Sequence, residues 1–267
     1  ELQAEDRWIL SKTQNITSQV TEAVEKMRLR EALQDILFTF ETDLSWYSKR
    51  VEAKGREDVS GILHYINSVR VAMLSPFAPH VAEEMWENLG YSEIVSKSAW
   101  PEFSKEKLDV TSIQSEELLK GTINDIANIL KVIKITPKKI VIYVNSDSMK
   151  SKVYRKILGI MVGGQNNMGV VMKELIADPE TTEAKKMPDY IQKVIKDLHS
   201  ESEEIKTMKL ESDSFDEKEF LSKELLSIGK KEFGVEVSVY SESDDNIYDP
   251  KGKARHARPF KPAILIE

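Results

Sequence analysis

The sequence predicts a mainly α-helical fold with a smaller α/β part: an antiparallel helix bundle followed by a small α/β domain with a short mixed sheet. In the first part of the chain, apolar side chains recur at steps of three and four, the period of one helix face. Further along, residues 139–144 form a dense β-branched run and residues 235–240 alternate, and both patterns predict strands. The polar stretch 105–117 separates the two patterns, so we expect one domain over 1–107 and another over 108–267.

Four helices account for the N-terminal domain. The first two are predicted over 6–27 and 29–47, and the charged stretch 51–60 is predicted to be a turn. A fourth helix begins at Pro79, where the missing amide donor costs nothing, and ends at Gly90, which suits a left-handed cap. The inward residues of the third and fourth helices are expected to be Ile62, Ile66, Val69, Met73, Val81, Met85, Trp86 and Leu89. Short connections between amphipathic helices favour an antiparallel bundle.

The C-terminal domain is predicted to combine helices with a few strands. A helix capped by Ser115 runs to Ile133, and residues 145–147, Asn-Ser-Asp, supply a cap for the helix that follows the first strand. The glycine-rich residues 163–169 follow a helix rather than a strand, so they predict a turn between helices and not a phosphate-binding loop. Further elements are predicted over 149–158, 167–177, from Pro188, from Asp216 to Gly234, and as strands over 235–240 and 263–266. This pattern favours a small mixed sheet covered by helices, with the strand order left open.

Composition excludes several classes of protein. The chain contains no cysteine, so it has no disulfide and no thiolate metal site, which is typical of a cytoplasmic protein. No stretch reaches the ~18 apolar residues needed to cross a bilayer, so no membrane partner is expected. His64 and His80 lack a second ligand at metal spacing, and both are expected to be core or capping residues. The net charge is −7, so any contact with nucleic acid depends on local basic patches.

The strongest functional signal is a change of charge near the end of the chain. After the acidic residues 241–245, residues 251–266 contain five Lys or Arg side chains and no Asp or Glu. Cations beside an aromatic ring and an imidazole are typical of surfaces that contact phosphates and stack on bases. We therefore predict RNA contact by Lys251, Lys253, Arg255, His256, Arg258, Phe260 and Lys261. The alternative is a surface tail that keeps the protein soluble, and the acidic stretch could shield these cations.

Two weaker basic clusters are further candidates for RNA binding. One flanks the first predicted strand, and the other lies between the first two predicted helices. They consist of Lys131, Lys134, Lys138 and Lys139, and of Arg28 and Arg30. No residue of the chain is predicted to be catalytic or to bind a metal.

One motif resembles a known family. Residues 75–90, SPFAPHVAEEMWENLG, are similar to a signature of class I aminoacyl-tRNA synthetases for aliphatic amino acids, which lies in their helical anticodon-binding domain. Residues 6–10, DRWIL, and 30–33, REAL, also resemble the first helices of that domain. The resemblance covers about residues 1–105. It implies an anticodon-binding-type helical bundle over the first domain.

The second domain resembles the C-terminal domain of archaeal leucyl-tRNA synthetases. The similarity lies in residues 163–166, GGQN, and 253–267, KARHARPFKPAILIE. In that family the C-terminal domain holds the tip of the long variable arm of leucine tRNAs, and recognition is generally indifferent to the anticodon. The resemblance implies a C-terminal tRNA-binding domain in which the basic tail grips the arm and the backbone of Ile266 and Glu267 contacts bases.

The departures from the family are equally informative. The chain lacks the His-Ile-Gly-His and Lys-Met-Ser-Lys-Ser types of ATP-site signature, a Rossmann core and an editing domain. The resemblance therefore implies a fragment without cofactor, whose parent uses ATP and Mg²⁺ in a missing N-terminal catalytic part. We expect tRNA(Leu) and that catalytic part as partners, and a monomer. The start at Glu1 without a methionine also favours a piece of a longer protein, and removal of a start methionine is the alternative. The alternatives are a protein-docking module, or the tail of a valyl or isoleucyl enzyme.

Overall fold

A computed structural model describes residues 1–212 and 215–267, and these divide into two compact units, Glu1–Glu116 and Glu117–Glu267. The boundary expected from the sequence, after residue 107, lies a little earlier in the chain. Helices dominate the described residues, and three strands form one mixed sheet, which confirms the predicted fold class. The helices of the first unit are α1 (Ala4–Glu25), α2 (Leu29–Gln34), α3 (Phe40–Ala53), α4 (Ser60–Leu74) and α5 (Pro79–Asn88).

The predicted second helix is longer and less regular than expected. A π-helical turn, Asp35–Thr39, joins α2 to α3, so the helical segment continues from Leu29 to Ala53. The predicted turn over 51–60 is accordingly too long. The segment ends at Ala53, and Gly55 just beyond it has a positive φ of 63°, which suits a residue without a Cβ atom.

The apolar face of α5 differs from the prediction. Val81 and Met85 are exposed, whereas Ala82 is buried and packs with Trp86 and Leu89. Ala82 and Trp86 are four residues apart and share one face, and Val81 and Met85 each lie about 100° away from it. Assigning Val81 and Met85 to the core was therefore wrong by one position along the helix.

The second unit contains the sheet and most of the remaining helices. A long helix, α6 (Val110–Ile133), begins in the first unit and ends in the second. The other elements are β1 (Ile140–Val144), α7 (Ser148–Val162), α8 (Met168–Ala177), α9 (Pro188–His199), α10 (Glu203–Glu211), α11 (Glu217–Phe233), β2 (Val237–Ser241) and β3 (Ala263–Ile266). The caps predicted within residues 145–147 and at Asp216 are confirmed: Asp147 and Asp216 are the capping residues, and each side chain accepts two backbone amides. Residues 163–167 of the glycine-rich stretch lie between α7 and α8, as predicted, and Gly169 is already in the first turn of α8.

The start of α6 corrects another prediction. Ser115 is buried inside the helix, where its hydroxyl donates to the carbonyl of Ser112 at 3.1 Å. Asp109 instead precedes the first turn, and its Oδ1 accepts the amide of Ser112 at 2.8 Å. An acidic side chain placed before the first turn satisfies amides that have no partner within the helix. The helix α10 was not predicted at all.

The strand order is β2–β1–β3, with β1 parallel to β2 and antiparallel to β3. Every residue of β1 is buried, because a central strand is covered on both faces and flanked on both edges. Helix α11 packs closely on β2 through Gly229. A Cβ atom at this position would lie 2.8 Å from Cγ2 of Val237. The predicted alternation of β2 is wrong, because its two ends are buried and its middle residues are half-buried.

A buried ionic network organises the first unit. The fully buried Arg50 donates from Nε to Oε1 of Glu116 at 2.7 Å, and Trp46 donates to the same oxygen at 2.7 Å. Glu5 is also fully buried and contacts Nζ of Lys54 at 2.6 Å. Burial alone would raise the pKa of Glu5, but hydrogen bonds from cations hold it below its ordinary value. The network thus ties the start of α1 to α3 and to the start of α6.

Replacing Arg50 with Met should lower the free energy of unfolding of the first unit by about 3–5 kcal/mol, because the carboxylate of Glu116 would stay buried without this cation. Urea unfolding followed by tryptophan fluorescence measures the change, since all four tryptophans lie in this unit. Arg28→Met is the matched control. Arg28 pairs with Glu22 and Glu31 on the surface, so its loss should cost less than about 1 kcal/mol. Equal effects of the two substitutions would contradict this role of the network.

Candidate nucleic-acid interface

The basic tail predicted from the sequence is folded against the sheet domain, and Asp249 shapes its first part. The carboxylate of Asp249 accepts the amides of Lys253 at 2.7 Å and of Ala254 at 2.8 Å. Partial desolvation raises the pKa of this carboxyl, but these backbone hydrogen bonds outweigh it and lower the pKa below its usual value. A 3₁₀ turn, Ala254–His256, follows. The side chains of Lys253, Arg255 and His256 consequently extend into solvent.

A tight turn forms the second part of the tail. Arg258 and Lys261 exchange backbone hydrogen bonds at 3.1 and 2.9 Å around Pro259 and Phe260. Phe260 has a positive φ of 58°, and a type II turn needs a positive φ at position i+2 and suits proline at position i+1. The amide of Phe260 donates to Oε1 of Glu217 at 2.9 Å, which helps to hold the strained backbone.

Phe260 has a different role from the one predicted. Its ring packs 5.9 Å from the rings of Tyr154 and Phe215, and Nζ of Lys209 lies 5.4 Å from its centre. It also contacts the hydrophobic core between α7 and α9. The ring therefore anchors the tail and is not presented for stacking on a base.

The cations of the tail fall into two groups. Arg258 lies 2.7 Å and Lys261 3.2 Å from the carboxylate of Asp197, so these two share one negative charge. Within the described ranges, Lys251, Lys253 and Arg255 have no carboxylate at ion-pair distance. The acidic stretch before the tail does not supply one, because Glu242 pairs with Lys150 at 2.9 Å and Asp244 with Lys218 at 2.8 Å.

His256 lies among several cations of this surface. Partial desolvation, followed by the charges of Arg255, Lys193, Lys253 and Arg258, lowers the pKa of its imidazole. The Nε of Arg255 also donates to its Nε2 at 3.4 Å, which suits the neutral ring. Lys193 belongs to α9 and was not predicted, because nothing in the sequence relates it to a segment some sixty residues later. The folded tail thus creates a positive patch on a negatively charged protein.

A groove of about 410 Å³ lies between the tail and α6. One wall carries cationic and imidazole groups, and the other carries a carboxylate and an amide from α6. The residues that line the groove are Asp125, Asn128, Ile129, Lys253, His256, Arg258, Lys261, Pro262, Ala263 and Ile264. Asp125 and Asn128 were not predicted as site residues, because the sequence pattern identifies only cations.

The second predicted cluster is only partly available as a cationic surface. Lys131, Lys134 and Lys138 are exposed around the end of α6, beside Val132, which is 80% exposed. Lys139 is half-buried, and its Nζ lies 3.6 Å from the centre of the Tyr248 ring. The cluster therefore presents three exposed lysines rather than four.

The end of β3 is tied to the start of β1. The carbonyl of Glu267 accepts the amide of Lys139 at 3.0 Å, and its amide donates to the carbonyl of Lys139 at 2.9 Å. These hydrogen bonds occupy the backbone groups of Glu267 that the resemblance implied for base contact. Because Lys139 and Glu267 exchange both hydrogen bonds, Ile140 and Ile266 form a non-hydrogen-bonded pair, and the N–H and C=O of Ile266 point to the open edge of β3.

The third cluster belongs to the first unit. Arg28 forms exposed ion pairs with Glu22 at 3.2 Å and Glu31 at 2.8 Å, so its charge is largely compensated. Arg30 is exposed.

His64 and His80 are exposed, which contradicts a core position for either residue. Nε2 of His64 lies 3.1 Å from the hydroxyl of Tyr91. The part of the chain that the structure describes contains no group of three potential metal ligands and no helix suited to crossing a membrane.

Comparison with known proteins decides the family. The family model described as the anticodon-binding domain of tRNA ligase matches residues 6–142, half of the chain. The chain belongs to the anticodon-binding domain family of tRNA ligases. The motif over residues 75–90 lies inside the match, so the resemblance read from it is confirmed. Its prolines end α4 and begin α5, and Glu83 accepts the amide of Val95 at 2.9 Å.

The similarity of this tRNA-ligase family member extends over its second unit as well. It is 35% identical to the leucine–tRNA ligase of Methanococcoides burtonii over 98% of the chain, and 35% identical to that of Methanosarcina mazei over its full length. The leucine–tRNA ligase of Pyrococcus abyssi is 33% identical, also over the full length. The chain spans about a quarter of these relatives, 26–27% of their length.

The stability of the tail should depend on pH through Glu217. Burial raises the pKa of this carboxyl to about 7, because Oε2 is out of contact with water and lacks a hydrogen-bond partner among the described residues. The folded state therefore holds the proton more tightly than the unfolded state, and stability is lost as pH rises from 4.5 to about 7. Glu217→Gln should flatten this part of the pH profile. Urea unfolding followed by circular dichroism measures the free energy of unfolding of both proteins at pH 5 and pH 7.5. The same pH dependence in the Glu217→Gln variant and in the unsubstituted chain would refute the role of Glu217.

Proposed function

We propose that the chain is the tRNA-recognition part of a leucine–tRNA ligase, which binds tRNA(Leu) through its body and its long variable arm. It orients the tRNA for ATP-dependent leucylation, and the reaction itself belongs to a catalytic part outside this chain. The names of the relatives support the ligase, and the family model supports a tRNA-binding role for the helical unit. Orientation of bound tRNA contributes to catalysis by placing the reacting end correctly.

The single observation that carries the proposal is the positive patch formed by the folded tail. Lys251, Lys253 and Arg255 are exposed and have no carboxylate partner within the described ranges, and Lys193 adds a fourth charge near His256. Phosphate contacts dominate the affinity of proteins for nucleic acids. A patch of this kind lets a protein of net charge −7 hold a polyanion at one place and repel it elsewhere.

The other exposed cations would extend the contact along the RNA. Lys131, Lys134 and Lys138 give the second unit another group of phosphate-binding side chains. Arg258 and Lys261 contribute less, because Asp197 already compensates part of their charge. Within the first unit, Arg30 is a better candidate than Arg28 for the same reason. We propose that the chain acts as a cytoplasmic monomer.

Replacing Lys253 and Arg255 together with Ala should weaken binding of leucine tRNA and reduce the slope of log K against log salt by about 1–2, because two phosphate contacts are lost. Filter binding over a series of salt concentrations measures both effects. The matched control removes Lys223 and Lys230, two exposed lysines of α11 that do not line the groove. Unchanged affinity and slope in the tail variant would refute the tail as an RNA contact.

Preference for leucine tRNA distinguishes this proposal from the tail of another aliphatic synthetase. The chain should bind leucine tRNA more tightly than the same tRNA with its variable arm shortened to a few nucleotides. Competition binding at constant salt measures the ratio, because the number of phosphates then changes only in the arm. Equal affinities would remove the variable arm from the proposal and leave only general tRNA binding.

A second candidate is docking of another protein, and a specific observation favours it. Met27 is 77% and Phe38 67% exposed, and Leu29 is exposed as well, in the segment from α1 to α3. Large exposed apolar side chains occur at protein interfaces. Failure of the chain to bind leucine tRNA even at low salt would favour docking over RNA recognition.

A further inference from the structure

The groove between the tail and α6 has the dimensions of a small-ligand site. Its volume of about 410 Å³ lies at the lower end of the ~300–1,000 Å³ typical of such clefts. It also combines a cationic wall, a hydrogen-bonding wall and apolar surface. This combination differs from an open phosphate-binding surface, which needs only cations.

The cationic wall suits a phosphate. Lys253 and Lys261 line it, and the positive charges of Arg255, Lys193 and Arg258 act on His256 in the same wall. Lys253 lacks a carboxylate partner in the described ranges, and Lys261 is half exposed beside Asp197. A phosphate bound here would replace part of the repulsion among the cations with attraction.

The opposite wall suits the edge of a base. A carboxylate such as that of Asp125 only accepts hydrogen bonds, whereas the amide of Asn128 both donates and accepts. The two residues are three positions apart on α6, so their side chains lie on the same face of the helix. Ile129, Pro262 and Ile264 also line the groove and provide apolar surface against which a flat ring can pack.

We propose that this groove binds one unpaired RNA nucleotide, with the phosphate against Lys253 and Lys261 and the base edge against Asp125 and Asn128. The proposal rests on the RNA binding proposed above and adds selectivity for a base. Guanine presents two neighbouring N–H donors, N1–H and N2–H, which a carboxylate can accept together. Uracil presents a single N–H between two carbonyl oxygens, and these repel a carboxylate. The groove therefore prefers guanine to uracil.

Titration of the 267-residue chain with GMP, UMP and inorganic phosphate tests the proposal. The imidazole resonance of His256, assigned with a His256→Gln variant, is followed by NMR over a pH series. GMP should raise the pKa of His256 and bind about tenfold more tightly than UMP, as expected for one paired contact to a base edge. Equal effects of GMP, UMP and inorganic phosphate would show an anion site only and overturn the proposal.

Asp125→Asn tests the base-reading wall. The variant should lose the preference for GMP over UMP and still bind both through their phosphate. The matched control is Glu117→Gln, an exposed acidic residue on the same helix that does not line the groove. A preference that persists in Asp125→Asn overturns the proposal.

Binding of leucine tRNA separates this proposal from the function on which it rests. One outcome is that the variant lacking Lys253 and Arg255 binds tRNA weakly while no nucleotide changes the His256 resonance of the unsubstituted chain. In that case tRNA recognition by the tail stands and the nucleotide groove is wrong. If the same substitutions leave tRNA affinity unchanged, the tail is not an RNA contact, whatever the nucleotide titration of the unsubstituted chain shows.

Discussion

The carboxylates around the tail accept hydrogen bonds from its backbone more than they pair with its Lys and Arg side chains. The proposed function of the second unit depends on this, because the cations keep their charge. Asp249 accepts two backbone amides of the tail, and Glu217 accepts that of Phe260. Only Asp197 lies at ion-pair distance from tail side chains in the described part of the chain. Backbone hydrogen bonds fix the path of the tail and leave Lys253 and Arg255 exposed. An acidic protein can therefore present a cationic surface without neutralising it.

The fold holds the tail from both ends. Before the tail, β2 pairs with β1, and after it β3 pairs with the opposite edge of β1. The buried central strand therefore fixes where the tail begins and ends, and the Phe260 ring attaches its middle to the core of α7 and α9. The same placement sets α6 opposite the tail and closes the groove with Asp125 and Asn128. A sequence segment with few apolar residues thus gains a defined shape from elements distant in the chain.

Local signals in the sequence predicted most elements of the fold, and long-range contacts explain the misses. The caps within residues 145–147 and at Asp216 and the proline at Pro79 depend on neighbouring residues, and all three are confirmed. Val81 and Ser115 were misplaced because apolar spacing and capping residue types allow more than one helix phase. The cationic residues of the site followed from composition, whereas Lys193, Asp125 and Asp197 come from helices that only the tertiary fold brings to the tail. Phe260 matched the pattern of a stacking residue, and its backbone strain and ring contacts show an anchor instead.

The central claim is that the exposed tail cations contact the variable arm of leucine tRNA. Lysine acetylation with and without the tRNA, read by mass spectrometry, tests it most directly, because a lysine against a phosphate reacts slowly. Lys251 and Lys253 should be protected by leucine tRNA and regain reactivity when the variable arm is shortened, whereas Lys223 and Lys230 on α11 should react equally in all samples. Equal labelling of Lys251 and Lys253 in the presence and absence of bound tRNA would contradict the claim.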